Sequence, residues 1–444
     1  LTGLDSETTY HVQPRGTDAA NNTGNGADTT LTTLATTGPD TQSPQISDLN
    51  VTAVTDTTAT VTWTTDEPAT SRVEYDEAGS AQQPPGEGGP NWPWGSDDHA
   101  QRIALDVDPA ADGFDLYAVV SVDFTGGFEA VGSPGSELDL DSLLVHEVTA
   151  AGEVVDVSVP FQFDPDADFD PATDASGEIV LELKGASSAQ TLRHYAVYFA
   201  ATGVAPATPT PADRVVVDPD ATDEGFAAVS LATPSGTWWY HVDGGGFSSL
   251  VDTAGEDWIG WNSAVGFDGQ YRGIPNLVYE GSYFHPGETG HDTTIVSDGP
   301  IRATLSTTSP DGLWQVDWDV YPTHATATVV RAPKAYWFQY EGSPAGVLDE
   351  SSDFWALSSG TWGNLSVDIE EDIAAPEWIQ FGDPVADRSL FVISHTDDAA
   401  ADKYESMSGM TVCAVGRAGL KRGLRGEIRR FAVGVVGAGD RAGA

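Results

Sequence analysis

The residues of this sequence best suited to chemistry lie in a segment rich in glycine and proline, between residues 269 and 287. The segment reads GQYRGIPNLVYEGSYFHPG and contains five candidate ligand-binding residues, Tyr271, Arg272, Asn276, Tyr283 and His285. Loops punctuated in this way commonly carry the functional groups of a fold. Arginine and asparagine can hydrogen-bond to sugar hydroxyls, and aromatic rings can stack on the C–H face of a pyranose. The segment therefore predicts a carbohydrate-binding surface.

Two further residues extend this surface toward catalysis. Glu341 ends the aromatic run AYWFQYE, and His324 lies in the alternating run WDVYPTHATATV. Proton abstraction beside a carbonyl needs a base and a cation that steadies the enolate. His285, His324, Glu341 and Arg272 are therefore the candidate catalytic groups. The alternative for each is structural: a hydrogen-bonded histidine, a carboxylate that satisfies a turn, or an arginine in an ion pair.

Tryptophan is concentrated in one part of the chain. Ten of the 13 tryptophans lie between residues 214 and 412. We expect Trp258, Trp261, Trp337 and Tyr340 to line the ligand surface. The alternative is that these rings fill the core, which is the common use of tryptophan in a β domain.

An aspartate-rich run provides the stronger candidate metal site, ahead of a zinc signal from the two histidines of HPGETGH. The run DPDADFDPATD places Asp164, Asp166, Asp168 and Asp170 at alternate positions. Such oxygen ligands suit Ca²⁺. Phe169 and Ala175 stand where an EF-hand loop has glycine and glutamate, and with 68 acidic residues in the chain such runs also arise by chance. Calcium is the cofactor that the sequence favours.

These residues must be positioned by strands. Short runs of Val, Thr, Ile and Tyr recur between clusters of Gly, Pro, Asp and Asn, and no long run has the 3.6-residue period of a helix. The pattern predicts an all-β protein of stacked sandwiches.

The N-terminal segments resemble fibronectin type III domains. Residues 1–36 contain the pattern L-x-x-L-x-x-x-T-x-Y, with Tyr10 at the tyrosine-corner position, and so match the second half of such a domain. Residues 46–78 match its first strands, with Trp63 at the buried position of the second strand. The resemblance implies tandem immunoglobulin-like sandwiches at this end of the chain, both of them incomplete.

Two larger segments follow. Residues 99–200 have the alternation of six or seven strands, and residues 214–412 are long enough for a large Trp-rich sandwich. The runs GGGFSSLVDTAGEDWIGW and PEWIQFGDPVADRSLFVISHTDD resemble the C-terminal region of large secreted multidomain proteins of uncharacterised function. That resemblance spans residues 99–412 and implies no particular activity.

Residues 413–444 depart from the rest in charge. This segment has seven Lys or Arg against two acidic residues, whereas the whole chain has 19 against 68. Three explanations stay open: a basic interaction tail, a last strand in the run RRFAVGVVGA, or an error in the reading frame.

The net charge of −49 limits the choice of partners. Nucleic-acid backbones and anionic lipids both require Lys and Arg, so neither is an expected partner. No apolar run is long enough to span a membrane.

The abundance of aspartate and the scarcity of lysine are typical of proteins from salt-loving microbes. Molar salt shortens the Debye length to about 3 Å and so screens the repulsion between the acidic side chains. An acidic secreted protein from an ordinary organism is the alternative.

Together these features favour an extracellular or cell-surface protein whose large sandwich binds polysaccharide or a cell-surface glycan. A purely structural adhesin or surface-layer component is the second hypothesis. A polysaccharide lyase or epimerase-like enzyme that uses the same groove is the third. The chain begins at Leu1 rather than methionine, which indicates a fragment or a processed form.

Overall fold

The protein is all-β in the computed structural model, as predicted, and its chain divides into two compact units, Leu1–Ala81 and Gln82–Ala444. The structure describes residues 8–12, 15–17, 23–25, 29–32, 46–52, 60–65, 96, 99, 101–208, 211–264, 272–279, 282–407, 409–418, 421–424 and 429–437.

The described part of the first unit consists of antiparallel strand pairs. They are β1 (Thr9–Val12) with β4 (Thr29–Thr32), β2 (Arg15–Thr17) with β3 (Thr23–Asn25), and β5 (Ile46–Thr52) with β6 (Thr60–Thr65). Thr62 and Thr64 are exposed, as expected for alternate positions of a strand with one solvated face. Tyr10 lies on β1 and Trp63 on β6, but their side chains are outside the described residues, so the fibronectin resemblance stays a prediction.

The second unit begins with a sandwich, here called the first sandwich. Among its described residues, one sheet has the order β10-β9-β13-β7 and the other β11-β12-β8. The strands are β7 (Gln101–Val107), β8 (Gly113–Asp123), β9 (Leu144–Val148), β10 (Val154–Asp156), β11 (Phe161–Pro165), β12 (Ser176–Ser187) and β13 (Arg193–Phe199). A short helix, α1 (Phe124–Ala130), follows β8, and the side chain of Asp123 caps it by accepting a hydrogen bond from the Gly126 N–H. A 3-10 turn covers Leu140–Ser142.

The rest of the unit is a larger sandwich, here called the second sandwich. Its strands are β14 (Val216–Asp223), β15 (Phe226–Thr233), β16 (Gly236–His241), β17 (Gly246–Asp252), β18 (Leu277–Tyr279), β19 (Ser282–Phe284), β20 (Asp292–Asp298), β21 (Ala303–Thr308), β22 (Gln315–Val320), β23 (His324–Arg331), β24 (Phe338–Gly342), β25 (Phe354–Leu357), β26 (Trp362–Asn364), β27 (Ile369–Glu371), β28 (Trp378–Asp383), β29 (Arg388–Ser394), β30 (Asp402–Met407), β31 (Met410–Val415), β32 (Arg417–Ala418), β33 (Lys421–Arg422) and β34 (Arg429–Gly437), with a 3-10 turn at Pro344–Gly346.

These strands form two layers around one core. The described strands of the first layer, called the large sheet, have the order β20-β21-β22-β23-β34-β29-β28-β25-β26. The second layer contains the facing sheet, β24-β31-β30-β27, and a meander, β14-β15-β16-β17. Phe338 of the facing sheet stacks on Phe431 of the large sheet with ring centres 4.2 Å apart, so side chains from both layers interdigitate.

Alternation decides which side chains enter this core. On β22, Val316, Trp318 and Val320 are buried in it, while Asp317 and Asp319 lie on the outer face of the large sheet. The outer faces of the two layers are therefore the surfaces where polar groups can meet a ligand.

The basic segment after residue 412 contributes to the interior of this sandwich. β34 pairs with β23 on one side and with β29 on the other. Phe431 and Val433 are fully buried in the core. This arrangement matches the last-strand explanation of the run RRFAVGVVGA and places the segment inside the large domain rather than after it.

The two sandwiches of the second unit contact each other through a polar anchor. Arg302 donates from Nε to Asp164 at 3.0 Å and from Nη2 to Glu178 at 2.8 Å. Gln162 accepts the backbone N–H groups of Ile301 and Arg302. These bonds join the outer face of β11 and β12 to the segment between β20 and β21.

Candidate functional site

The face of the facing sheet that points away from the core carries a polar site. On β24, Phe338 and Tyr340 point into the core, so Gln339 and Glu341 must point to the opposite side. Glu341 is nevertheless only 3% exposed. Something must therefore cover this outward face.

The cover is the glycine- and proline-rich segment singled out in the sequence. Gly273 and Glu341 exchange both backbone hydrogen bonds, at 2.7 and 3.0 Å, and the Asn276 N–H donates to the Gln339 carbonyl at 2.8 Å. The segment thus extends the edge of β24 in the manner of an added strand. This pairing places the Asn276 side chain beside the Glu341 carboxyl.

Glu341 lies at the centre of the site. Asn276 Nδ2 donates to its Oε2 at 3.1 Å, and Gln339 Nε2 donates to its Oε1. Burial raises the pKa of the Glu341 carboxyl to about 8, against the opposing effects of these two hydrogen bonds and of the Arg417 charge. At neutral pH the carboxyl therefore holds its proton.

His285 completes the pair. Its Nδ1 lies 2.6 Å from the Pro286 carbonyl, which can only accept, so Nδ1 is the protonated nitrogen. The other ring nitrogen, Nε2, lies 3.8 Å from Glu341 Oε2. A carboxyl and a ring nitrogen that can accept a proton thus lie near each other, although 3.8 Å is longer than a hydrogen bond.

The polar site continues across the same face of the sheet. Arg417 donates from Nη1 to Gln339 Oε1 at 2.9 Å, and its guanidinium lies 5.3 Å from the ring centre of Trp337. Its Nη2 lies 3.2 Å from Glu405, which also pairs with Lys403 at 2.7 Å. A continuous row of polar and charged side chains therefore runs from Glu341 through Gln339, Arg417 and Glu405 to Lys403. We call the whole set the polar face.

Arg272 does not share the polar face. Because Gly273 pairs with Glu341, the neighbouring Arg272 lies opposite Gly342 and points to the side of Tyr340. Its Nη1 contacts the Gly260 carbonyl at 3.5 Å and its Nη2 the Gly409 carbonyl at 3.3 Å. The side chain is half-buried. The expectation that Arg272 faces the same surface as Glu341 and His285 is therefore corrected.

Three of the predicted aromatic ligand residues lie in the core. Trp258 is fully buried and donates its indole N–H to Asp252 at 3.0 Å, while the Tyr340 hydroxyl donates to the Trp258 carbonyl at 2.7 Å. Trp261 is 6% exposed and packs edge-on against His241 with ring centres 4.9 Å apart. These rings fill space between layers, so they are corrected from ligand platforms to core residues.

Trp337, by contrast, is half-buried and borders the polar face beneath Arg417. Tyr271 lies outside the described residues. Tyr283 lies on β19, but its side chain is outside the described part of the chain.

His324 does not join Glu341. It lies on β23 at the outer face of the large sheet, where its ring stacks on Tyr321 with centres 5.1 Å apart. Burial, with the nearby His395, lowers its pKa to about 4. His324 lines a separate groove of about 1810 Å³ between the two sandwiches. The expectation that it shares a groove with His285 is therefore corrected, because the two histidines belong to opposite layers.

Two of the four aspartates of the proposed calcium run have other partners. Asp164 pairs with Arg302, and Asp170 accepts the backbone N–H groups of Ala172 and Thr173, which hold its pKa low. Within the described residues no group of three or more His, Cys, Asp or Glu side chains is arranged to hold a metal ion. Asp166 and Asp168 lie on the turn between these two positions.

Sequence reasoning missed Gln339, Glu405 and Arg417. Gln339 carries a usable signal, because it alternates with Phe338 and Tyr340 and so shares the face of Glu341. Arg417 belongs to the segment whose charge looked anomalous, and its pairing with Gln339 depends on contacts between residues far apart in the chain.

Comparison with known proteins gives only distant likenesses. No family model matches the chain, and no curated protein matches it. The chain is similar to the solved structure of HI1317 at 12% identity and a TM-score of 0.36, over 52% of this chain and 98% of that one.

Two further solved structures are similar at the same identity. An active YidC insertase matches at 12% identity and a TM-score of 0.28, over 52% of this chain and 42% of that one. An alpha-mannosidase from Enterococcus faecalis V583, a sugar-related protein, matches at 12% identity and a TM-score of 0.37, over 76% of this chain and 43% of that one. At this level of similarity none of the three assigns an activity to this chain. In the described part of the chain, no helix has the length and apolar character needed to cross a membrane.

Proposed function

We propose that this protein binds a glycan at the polar face, as part of an extracellular or cell-surface protein. The observation that carries the proposal is the convergence of Asn276, His285 and Glu341 on one outward side of the facing sheet. Basic side chains are scarce in a chain of net charge −49. Their presence together with amide side chains at one place therefore favours a ligand-binding site over an ordinary part of the surface.

The chemistry of these groups matches sugar hydroxyls. Amide, imidazole and carboxyl groups both donate and accept hydrogen bonds, and the half-buried Trp337 offers a ring edge beside them. The ligand is then a short stretch of oligosaccharide with Asn276 among its first contacts.

Calorimetric titration of the chain with neutral and acidic oligosaccharides in molar salt tests this proposal. Asn276→Ala should weaken binding about tenfold, which corresponds to roughly one hydrogen bond. Arg331→Ala is the control, because Arg331 is exposed and lies at the end of β23. Equal affinity of Asn276→Ala, Arg331→Ala and the parent chain would overturn the proposal.

A lyase or epimerase-like activity is the second candidate function. It is favoured by the Glu341 carboxyl, which holds its proton at neutral pH 3.8 Å from His285 Nε2. On this candidate, Glu341→Gln abolishes turnover of a uronic acid-containing polysaccharide and leaves oligosaccharide binding in place. Unchanged turnover in that variant would remove Glu341 from the reaction.

A structural role as an adhesin or surface-layer component is supported by a different observation. Trp258 and Trp261 are both buried, so these aromatic side chains of the large domain serve packing rather than ligand contact. Absence of any glycan binding by the parent chain, with a cooperative unfolding transition, would favour this role.

A further inference from the structure

A second surface on the second sandwich exposes aromatic rings that the polar face does not use. Trp362 on β26, at the edge of the large sheet, is 70% exposed. Its direct partner across the strand pair is Ala356 on β25. Burial of an indole ring stabilises a fold strongly because the ring has a large apolar area. A tryptophan that stays exposed therefore commonly marks a binding site.

The side chains beside Trp362 belong to the outer face of the large sheet. Trp355 and Leu357 on β25 point into the core and are buried, so Phe354 and Ala356 point outward with Trp362. Gln380 on β28 pairs with Ala356 and belongs to the same row. The row therefore crosses three neighbouring strands on one face.

Two glycines let phenylalanine rings lie flat on this face. Gly382 pairs with Phe354, and a Cβ at residue 382 would come within 2.2 Å of the Phe354 ring. Gly434 pairs with Phe391, and a Cβ at residue 434 would come within 2.7 Å of that ring. Each ring thus covers the glycine of the next strand rather than standing up from the sheet.

The hollow beside Trp362 has no charge. In the described part of the chain it has a volume of about 500 Å³ and is lined by Ser352, Phe354, Ala356, Gly360, Trp362, Asn364, Gln380 and Pro384. None of these side chains is acidic or basic, although the chain has 68 acidic residues. An uncharged hollow on so acidic a molecule matches a neutral ligand, since an anion is repelled by the surrounding field and a cation finds no partner in the hollow.

We propose that this surface, the aromatic shelf, binds a neutral polysaccharide, with one pyranose ring stacked on Trp362 and with the Gln380 and Asn364 amides beside its hydroxyls. Flat rings interspersed with amides offer what a neutral sugar chain needs, a C–H stacking surface and hydrogen bonds without charge. The inference shares its ligand class with the proposed function and rests on it to that extent. The shelf is nevertheless a separate site, because it lies on the opposite layer from Glu341.

Affinity electrophoresis and calorimetry with a soluble neutral β-glucan and a galactomannan, with alginate as the acidic polymer, test the shelf in molar salt. Trp362→Ala should weaken binding of at least one neutral polymer about tenfold or more, and Trp362→Phe should retain part of it. Phe114→Ala is the matched control, because Phe114 is also 70% exposed but lies on the first sandwich.

The outcomes separate the shelf from the polar face. Loss of neutral-polymer binding in Trp362→Ala but not in Asn276→Ala supports the shelf, whatever becomes of oligosaccharide binding at the polar face. Equal binding by Trp362→Ala and the parent chain overturns the proposal, as does equal loss in Phe114→Ala. A parent chain that binds only alginate, or that dimerises through Trp362 in light scattering without binding any neutral polymer, also overturns it.

Discussion

Oε2 of Glu341 lies 3.8 Å from Nε2 of His285, and each of the two side chains is 5% exposed. The two residues come from different segments, since Glu341 lies on β24 and His285 follows β19. A small shift of either side chain would close the gap to a hydrogen bond, as commonly happens in catalytic sites when substrate binds. The protonation of Glu341 therefore determines what the polar face can do.

The stability of the protein should fall with rising pH because of Glu341. Its pKa is raised from 4.5 to about 8 in the folded chain. Between these two pH values the folded state binds the proton more tightly than the unfolded state, so unfolding becomes easier as pH rises and the effect ends above about pH 8. Glu341→Gln should remove this contribution, which is on the order of a few kcal/mol.

Urea unfolding of both proteins at pH 5 and pH 8 measures this difference. The parent chain should lose more stability between the two values than Glu341→Gln does. Other buried acids, such as Asp402 with a pKa raised to about 7, contribute to both proteins and cancel in the comparison. An equal pH dependence in the two chains would contradict the raised pKa of Glu341.

The basic C-terminal segment should be essential for folding of the second sandwich. Phe431 is fully buried and stacks on Phe338 across the core. Phe431→Ala should cost about 3–5 kcal/mol, because it removes a core ring and leaves a cavity. Arg430→Ala, at the exposed neighbouring position, should change stability by no more than about 0.5 kcal/mol. Similar unfolding midpoints for the two variants would argue against a central position of β34.

The sequence predicted the polar face better than the aromatic surface. Arg272, Asn276, His285 and Glu341 stood out because cations are scarce in the chain and because glycine and proline mark loops, and three of the four are in mutual contact. Such local signals identify functional types without long-range information.

The tryptophans gave no comparable signal. Trp258 lies in an irregular segment where no two-residue period indicates its direction, and its burial depends on Asp252 and Tyr340. Trp362 is one of the ten tryptophans between residues 214 and 412, and its exposure follows from the place of β26 at a sheet edge. The burial of Trp258 and the exposure of Trp362 both depend on how distant segments of the chain are arranged, and local alternation does not encode that arrangement.

The polar anchor between the two sandwiches should depend on Arg302. Its side chain is 8% exposed and pairs with both Asp164 and Glu178. Arg302→Met should destabilise the chain by on the order of 3 kcal/mol, because two carboxylates are left close together without their cation. Lys184→Met, which removes a lysine from the more exposed pair with Asp156, should cost less.

Differential scanning calorimetry of the second unit's unfolding in molar salt distinguishes these two variants. Salt screens the exposed pair more than the buried one, so the difference between the variants should persist at high salt. A larger loss in Lys184→Met than in Arg302→Met would contradict the role assigned to Arg302.

Arg417 should hold the pKa of Glu341 below the value that burial alone would give. Its positive charge lowers that pKa, and its Nη1 bonds to Gln339, which in turn donates to the Glu341 carboxyl. Arg417→Met should therefore raise the pKa of Glu341 above about 8, because the ionised carboxylate loses a favourable charge nearby.

Carbon-13 NMR of labelled glutamate side chains follows this titration, with the signal assigned by its loss in Glu341→Gln. Lys403→Met is the control on the same face, because Lys403 pairs with Glu405 and should leave the Glu341 midpoint in place. A midpoint that falls or stays constant in Arg417→Met would show that the row of charges does not act on Glu341.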